Sequence, residues 1–351
     1  MDHRPLGRTG LSVSALSLGT MTWGQQNTEA EAFAQMDLAL ERGVNLVDNA
    51  EMYPVPPMAE TRGRCETIMG NWFAARPGAR EKVIVATKVV GRSDMGWLRE
   101  DGRAPRLTPR DIEEAVEASL KRLGTDRIDL YQVHWPDRPV AAFGANPTIF
   151  NVPVRPEDET PIEVSLEALD RLVKAGKVLH IGVSNESTWG LMKWLHASET
   201  RGLARVASIQ NAYSLVNRTF ETNLAEACLR EDVSLLGYSA LAQGYLTGKY
   251  RGGALPQGAR KTLFDRLKRY EGPGAVETND RYVALAEEAG IDPSQMAIRF
   301  AMSRPFMTSV ILGATSVEQL KVNLEAADVV LPDDVLAEID RIHRAHANPA
   351  P

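Results

Sequence analysis

Short apolar runs, many of them β-branched, alternate along this chain with longer stretches of helical period, and the alternation repeats eight times. The runs that read as strands are Ala15–Leu18, Val44–Val47, Val83–Thr87, Ile128–Val133, Val178–Val183, Val206–Ile209, Ser234–Tyr238 and Met307–Leu312. Amphipathic segments fall between and after them: Glu29–Arg42, Cys65–Ala75, Pro109–Leu123, Pro161–Ala175, Thr188–Glu199, Phe220–Arg230, Asp280–Gly290 with Pro293–Ser303, and Val317–Ala327. In TPRDIEEAVEASLKRLG, for example, Ile112, Val116, Leu120 and Leu123 share one helical face while Glu113, Glu117 and Lys121 share another. Thr108 is placed to cap that helix, Pro109 to open it and Gly124 to end it.

Strands that alternate with helices make parallel βαβ units, and eight such units close into a (β/α)8 TIM barrel of the α/β class. A doubly wound sheet would carry G-x-G-x-x-G between its first strand and helix; here that place, starting at Gly19, reads GTMTWG. Residues 1–351 are therefore expected to form one domain, its core supported by a composition 44% apolar and 25% charged. Three segments exceed the bare repeat: 91–107, 135–160 (with Phe143 and Phe150) and 242–278, in which Thr262–Tyr270 reads as a short helical piece. All three follow the C-terminal ends of strands, the face on which such barrels carry their sites. Pro332–Ala345 reads as an extra C-terminal helix.

Four polar residues stand where strands run out: Asp48 after GVNLV, Tyr53 five residues on, Lys88 after VIVAT and His134 after LYQV. A carboxylate, a phenol, an ammonium and an imidazole converging on one barrel mouth form a set suited to moving a proton at a carbonyl. Reduction of a carbonyl leaves an alkoxide, which an acid must protonate, and Tyr53 can supply that proton. A free phenol, with pKa near 10, is a reluctant donor. A neighbouring ammonium such as Lys88 is expected to lower that value, with Asp48 holding Lys88 charged. His134 can orient the carbonyl oxygen.

The motifs GVNLVDNAEMY, VIVATK, LYQVHWPD, KAGKVLHIGVSN, SIQNAYSLVNR, GYSALAQGYLTGKY and ILGATSVEQLKVN, in this order, resemble the aldo-keto reductases over nearly the whole chain. A bacterial branch shares the loop beginning HWPDRP, and potassium-channel β subunits are similar in the same motifs. The resemblance implies an NADP(H)-dependent reductase of small-molecule aldehydes or ketones, with Tyr53 as the acid, Lys88 and Asp48 tuning it and His134 orienting the substrate. It implies further that Ser184, Asn185 and Gln210 hold the nicotinamide carboxamide and that Tyr238 stacks on its ring. Ser239, Leu241, Gly244, Leu246 and Lys249 would wrap the pyrophosphate, and Gly313, Thr315, Gln319 and Asn323 the adenosine end. Gly19, Thr20, Met21 and Asp48 complete the expected cofactor contacts. GATSVEQ, from Gly313 to Gln319, holds no basic residue, so charge for a 2′-phosphate is expected from Lys249 and Arg260. Trp23, Trp97 and Trp135, together with Tyr53 and His134, are expected to wall the substrate pocket.

Net charge is −6 with no basic stripe, which argues against nucleic acid as a partner. No apolar run approaches the length of a membrane span, and Cys65 and Cys228 stand alone, so the chain reads as cytoplasmic and without a metal site. An oligomer is compatible with the sequence. A second function from another class is an NADPH-binding regulatory or redox-sensing subunit with little turnover. A metal-dependent barrel hydrolase would need clustered ligands that the sequence lacks.

Overall fold

The structure, a computed structural model, describes residues 1–141, 143, 145–146, 149, 154–266 and 268–351. Eight parallel strands close into a barrel: β3 (Leu16–Gly19), β4 (Leu46–Asp48), β5 (Ile84–Val89), β6 (Ile128–Val133), β7 (Val178–Ser184), β8 (Val206–Ala212), β9 (Ser234–Tyr238) and β10 (Met307–Leu312). Val310 pairs with Leu16 to join the last strand to the first. All eight strands stand where the sequence places them. A two-stranded hairpin, β1 (His3–Pro5) and β2 (Ser12–Ser14), precedes them and was not foreseen.

The helices are α1 (Glu29–Glu41), α2 (Arg64–Ala74), α3 (Pro109–Leu123), α4 (Ile162–Lys174), α5 (Thr188–Arg201), α6 (Leu224–Glu231), α7 (Arg260–Phe264), α8 (Ala275–Glu288), α9 (Pro293–Met302), α10 (Val317–Glu325) and α11 (Asp333–Ala345). Thr108 caps α3 by accepting from the Asp111 amide, and Gly124 ends it in the left-handed region at φ 61°. At α1 a reciprocal pair, Thr28 and Glu31, satisfies the first free amides. The expected helix Thr262–Tyr270 is instead two pieces. Asp265 turns left-handed (φ 43°) and ends α7, and a short 3-10 turn follows at Lys268–Glu271. The turn Thr219–Thr222 delays α6, and α8 begins five residues earlier than Asp280.

The main core lies between strands and helices. A second, separate apolar cluster fills the barrel: Leu46, Ala86, Leu130 and Leu236 from four strands, with Leu6 and Val13 from the hairpin region. The hairpin is thus a plug under the N-terminal ends of the strands. It is fastened by Gly7 N–H to Ser234 Oγ (2.8 Å), by Arg4 to the Met307 and Met302 carbonyls (2.5 and 3.0 Å) and by Asn45, which accepts from the Ser14 amide at 2.8 Å. Gly7 sits at φ 52°, and a Cβ there would come within 2.6 Å of the Ala207 carbonyl.

Inward side chains repeat every second residue of a strand. One period above Leu46, Ala86, Leu130 and Leu236 come Asp48, Lys88, Gln132 and Tyr238, so the interior changes from apolar floor to polar mouth within one layer. Truncating a floor residue leaves a cavity that the closed barrel cannot collapse. Leu130→Ala is expected to lose about 2–5 kcal/mol of stability, and Leu263→Ala, on the exposed face of α7, less than about 0.5 kcal/mol. Urea denaturation of the two variants would measure both, and equal losses would contradict an interior floor.

Candidate active site

Asp48, Lys88 and His134 leave β4, β5 and β6 at the same end of the barrel, and Tyr53 follows on the loop after β4. Lys88 is fully buried, and its ammonium donates to Asp48 Oδ2 (2.6 Å) and to the Asn49 carbonyl (2.6 Å). It reaches the Tyr53 hydroxyl at 3.5 Å. Asp48 Oδ1 accepts from the side-chain amides of Gln210 (2.8 Å) and Gln132 (3.2 Å). The Tyr53 and His134 rings meet edge to face, 5.7 Å apart. The structure therefore brings all four sequence-expected residues together.

The electrostatics run opposite to the simple expectation for the phenol. Burial, with the Asp48 carboxylate behind it, pushes Tyr53 well above its ordinary pKa. Lys88 does not reverse this, because its charge is already paired with Asp48, and burial itself lowers the ammonium's pKa. The phenol is accordingly protonated at neutral pH. Burial and the Lys88 charge hold the His134 imidazole well below the usual histidine range, so it is neutral, and among the described residues its Nδ1 has no hydrogen-bond partner.

These side chains open into a cavity of about 1450 Å³. Gly19, Thr20, Met21, Asn185, Gln210, Tyr238, Ser239, Leu241, Gly244, Lys249, Arg260, Gly313, Thr315, Gln319 and Asn323 all line it, as do Asp48, Tyr53, His134 and Trp135. Asn185 (φ 51°) and Ser239 (φ 62°) hold left-handed backbone just where β7 and β9 end at this cavity. Tyr238 donates to Asn185 Oδ1 at 2.6 Å.

Besides the fully buried Lys88, four expected residues lie off the cavity wall. Trp23 is wholly buried, its indole N–H captured by Gln35 Oε1 at 2.9 Å, which turns the ring into the core. Trp97 sits in the turn Gly96–Leu98, half-buried and packed against the core. Leu246 is buried beneath its loop, and the Ser184 hydroxyl is spent on the Gln210 carbonyl at 2.7 Å. Of the three tryptophans only Trp135 walls the cavity, 5.4 Å from the Phe143 ring. Phe150 lies outside the described residues.

A model of the Aldo/keto reductase family matches residues 15–344. The chain belongs to the aldo/keto reductase family. It is 48% identical to Protein tas of Escherichia coli over the whole of both chains. It is 34% identical to the uncharacterized oxidoreductase YrpG of Bacillus subtilis, over 97% of this chain and 96% of that one. It is also 30% identical to a probable voltage-gated potassium channel subunit beta of Arabidopsis thaliana, again over 97% and 96%. An oxidoreductase role follows from the family.

Two features of this aldo/keto reductase were missed in the sequence. Beside Lys249 and Arg260, the cavity is lined by Arg266, Lys268 and Arg269, and among the described residues no ion pair engages any of the five. Among the described residues the buried Arg260 Nε has no partner, and burial lowers the pKa of both Arg260 and Lys249. The sequence signal was the run DRLKRY, hidden because it reads as a solvated helix face. Across the mouth, the other two arginines are spoken for. Arg92 is held by Asp137 and Asp158 (2.8 Å each) and Arg138 by Glu186, which stitches the long loops together. Among the described residues no three His, Cys, Asp or Glu side chains are placed to share a metal ion, and no helix is long and apolar enough to cross a membrane.

Because native His134 titrates below the unfolded value of about 6.5, between those two values the unfolded chain binds a proton that the native one refuses. Its neutral burial thus contributes stability fully above about pH 6.5, lost as pH falls, by up to about 1.4 kcal/mol per pH unit. Urea midpoints from pH 8 to 5 should fall more steeply for wild type than for His134→Asn. Parallel curves would mean that the imidazole is not held neutral.

Proposed function

We propose that the protein is an NADPH-dependent reductase that converts aldehydes or ketones to alcohols, with Tyr53 as the general acid. The observation that carries this reading is a protonated, buried phenol beside a buried ammonium–carboxylate pair, at the floor of a cavity of about 1450 Å³. Bound NADPH supplies the hydride. Asn185 and Gln210 are the amides that would hold its carboxamide, and Tyr238 would lie against the ring. Gly244 stands at φ 105°, and a Cβ there would come within 2.5 Å of Lys249 Cε, so the bare glycine lets the Lys249 stem pass toward the phosphates. Arg260 Nε, without a partner among the described residues, and the neighbouring cations suit an anionic end of the cofactor, the 2′-phosphate included.

The substrate carbonyl oxygen would sit between the Tyr53 hydroxyl and the neutral His134 imidazole, which donates one N–H to it and adds no charge. As negative charge builds on that oxygen, Tyr53 gives up its proton. The phenolate left behind is stabilised by Lys88, which Asp48 keeps oriented. Met52, Val55, Pro139, Val140, Trp135 and Phe143 give the substrate end an apolar wall, so a hydrophobic carbonyl is the expected ligand. A cytoplasmic location belongs to the same reading, since both cysteines are free and buried and call for no oxidising compartment.

Tyr53→Phe should lower kcat for aldehyde reduction by about 10²–10⁴-fold while leaving the Kd for NADPH nearly unchanged. Retention of most of kcat would remove Tyr53 from the acid role. The names of the channel-subunit relatives make a regulatory, slowly turning subunit the second reading. Tight NADPH binding with no reduction across a broad aldehyde panel would favour it.

Arg260→Ala should weaken NADPH by roughly 1.5–3 kcal/mol, the value of a hydrogen bond to a charged group, and NADH by little. Fluorescence titration with both cofactors measures this. Equal losses would assign Arg260 to the pyrophosphate or to the fold of its loop.

A further inference from the structure

We infer that Gln132 is a positioning residue of this site, locking Asp48 and Gln210 into one arrangement through the two ends of its amide. The inference rests on the reductase reading above. Gln132 lies on β6, fully buried, one inward period above the floor residue Leu130 and one below His134. Its Nε2 donates to Asp48 Oδ1 (3.2 Å), and its Oε1 accepts from Gln210 Nε2 (3.2 Å), which also donates to Asp48 Oδ1 (2.8 Å). The neighbouring strand leaves room for it, since a Cβ on Gly182 would come within 3.1 Å of Gln132 Cγ.

An ionised carboxylate only accepts hydrogen bonds, and a primary amide has two N–H donors and one acceptor oxygen. With Oδ2 taken by Lys88, Asp48 Oδ1 turns both glutamine NH2 groups toward itself. Gln210 then spends one hydrogen on Asp48 and the other on Gln132 Oε1. It cannot rotate end for end without facing two acceptors with its own oxygen, so Oε1 is the end left for the cavity that Gln210 lines. Gln132 does not line that cavity and acts through the two groups that do. A glutamine kept only for packing would behave differently, because the layer beneath is apolar and a methionine of similar volume would serve there.

The closing experiment uses Gln132→Met and Gln132→Glu beside wild type. The Kd for NADP⁺ is read by fluorescence and kcat by aldehyde reduction, at intervals from pH 5 to 8, with circular dichroism confirming the fold. In Gln132→Glu the new carboxyl, while protonated, reproduces both bonds, its O–H donating to Asp48 and its carbonyl accepting from Gln210. Ionised, it sets a second carboxylate against the first, and that repulsion raises its own pKa. Expected for Gln132→Met is a loss of about tenfold or more in both Kd and kcat, the scale of a hydrogen bond to a charged group, with the ratio to wild type flat in pH. Expected for Gln132→Glu is near-wild-type behaviour at the acid end and a progressive loss as pH rises. Wild-type Kd and kcat in Gln132→Met, or pH-independent ratios in a folded Gln132→Glu, would overturn the inference. If Gln132→Glu does not fold, the methionine variant decides alone. A wild type that binds NADP⁺ yet reduces no aldehyde would sink the reductase reading, with the Kd ratios still deciding Gln132. A wild type that binds no NADP⁺ would sink both.

Discussion

An ammonium held at 2.6 Å from a carboxylate, inside a closed barrel and out of reach of water, is the constraint from which the rest of this structure follows. Neither Lys88 nor Asp48 could be buried alone, since an uncompensated charge there is strongly destabilising. The pair also needs every remaining donor and acceptor met, and Asn49, Gln132 and Gln210 meet them. The barrel provides the framework for this. Parallel strands at successive positions bring inward side chains of β4, β5, β6 and β8 into one layer, and the apolar floor beneath keeps the layer dry. Tyr53 lies against a pair that is neutral as a unit. Burial therefore sets the state of the phenol, and Lys88 can act on it only once the proton has begun to leave.

Above that layer the mouth divides into two chemically opposed halves. Loops following β4 and β6 contribute prolines, Val55, Val140, Trp135 and Phe143, and the run from Pro139 to Val154 contains no charged residue at all. Arg92 and Arg138 stand on that side but are committed to aspartates and a glutamate, so they hold loops in place and offer no free charge. Loops following β9 carry five cations outside any ion pair among the described residues, in a chain whose net charge is −6. An extended ligand with an apolar reacting end and a polyanionic tail is matched by this division.

The barrel and the four converging residues were legible because both obey short periodicities. The strand Val83–Thr87 is a nearly continuous apolar run, and a lysine directly after VIVAT breaks it in a place where breaking it is costly. What escaped depends on partners distant in the chain. Trp23 looks like a loop aromatic until Gln35 of α1 takes its N–H, and Trp97 until the turn Gly96–Leu98 packs it against the core. The segment 262–270 has helical composition, yet Asp265 in the left-handed region splits it and turns Arg266, Lys268 and Arg269 to the cavity. The lowering of the phenol's pKa was expected from one neighbour, and the outcome is set by that neighbour's own partner. The hairpin strands are three residues each, too short to show a period.

That hairpin lies outside what defines the family in sequence, yet it closes the barrel interior. The family match begins at residue 15 and ends at residue 344. Leu6 and Val13, which close the interior from below, lie before it. Asn348, which accepts from the Arg218 amide at 2.6 Å, and Ala350, whose amide donates to the Val216 carbonyl, lie after it. A chain cut to the matched boundaries would keep every residue of the reactive layer and expose the underside of the barrel to solvent. The folded barrel thus draws on residues beyond its signature at both ends, and a boundary drawn by resemblance would cut through contacts that close it from below.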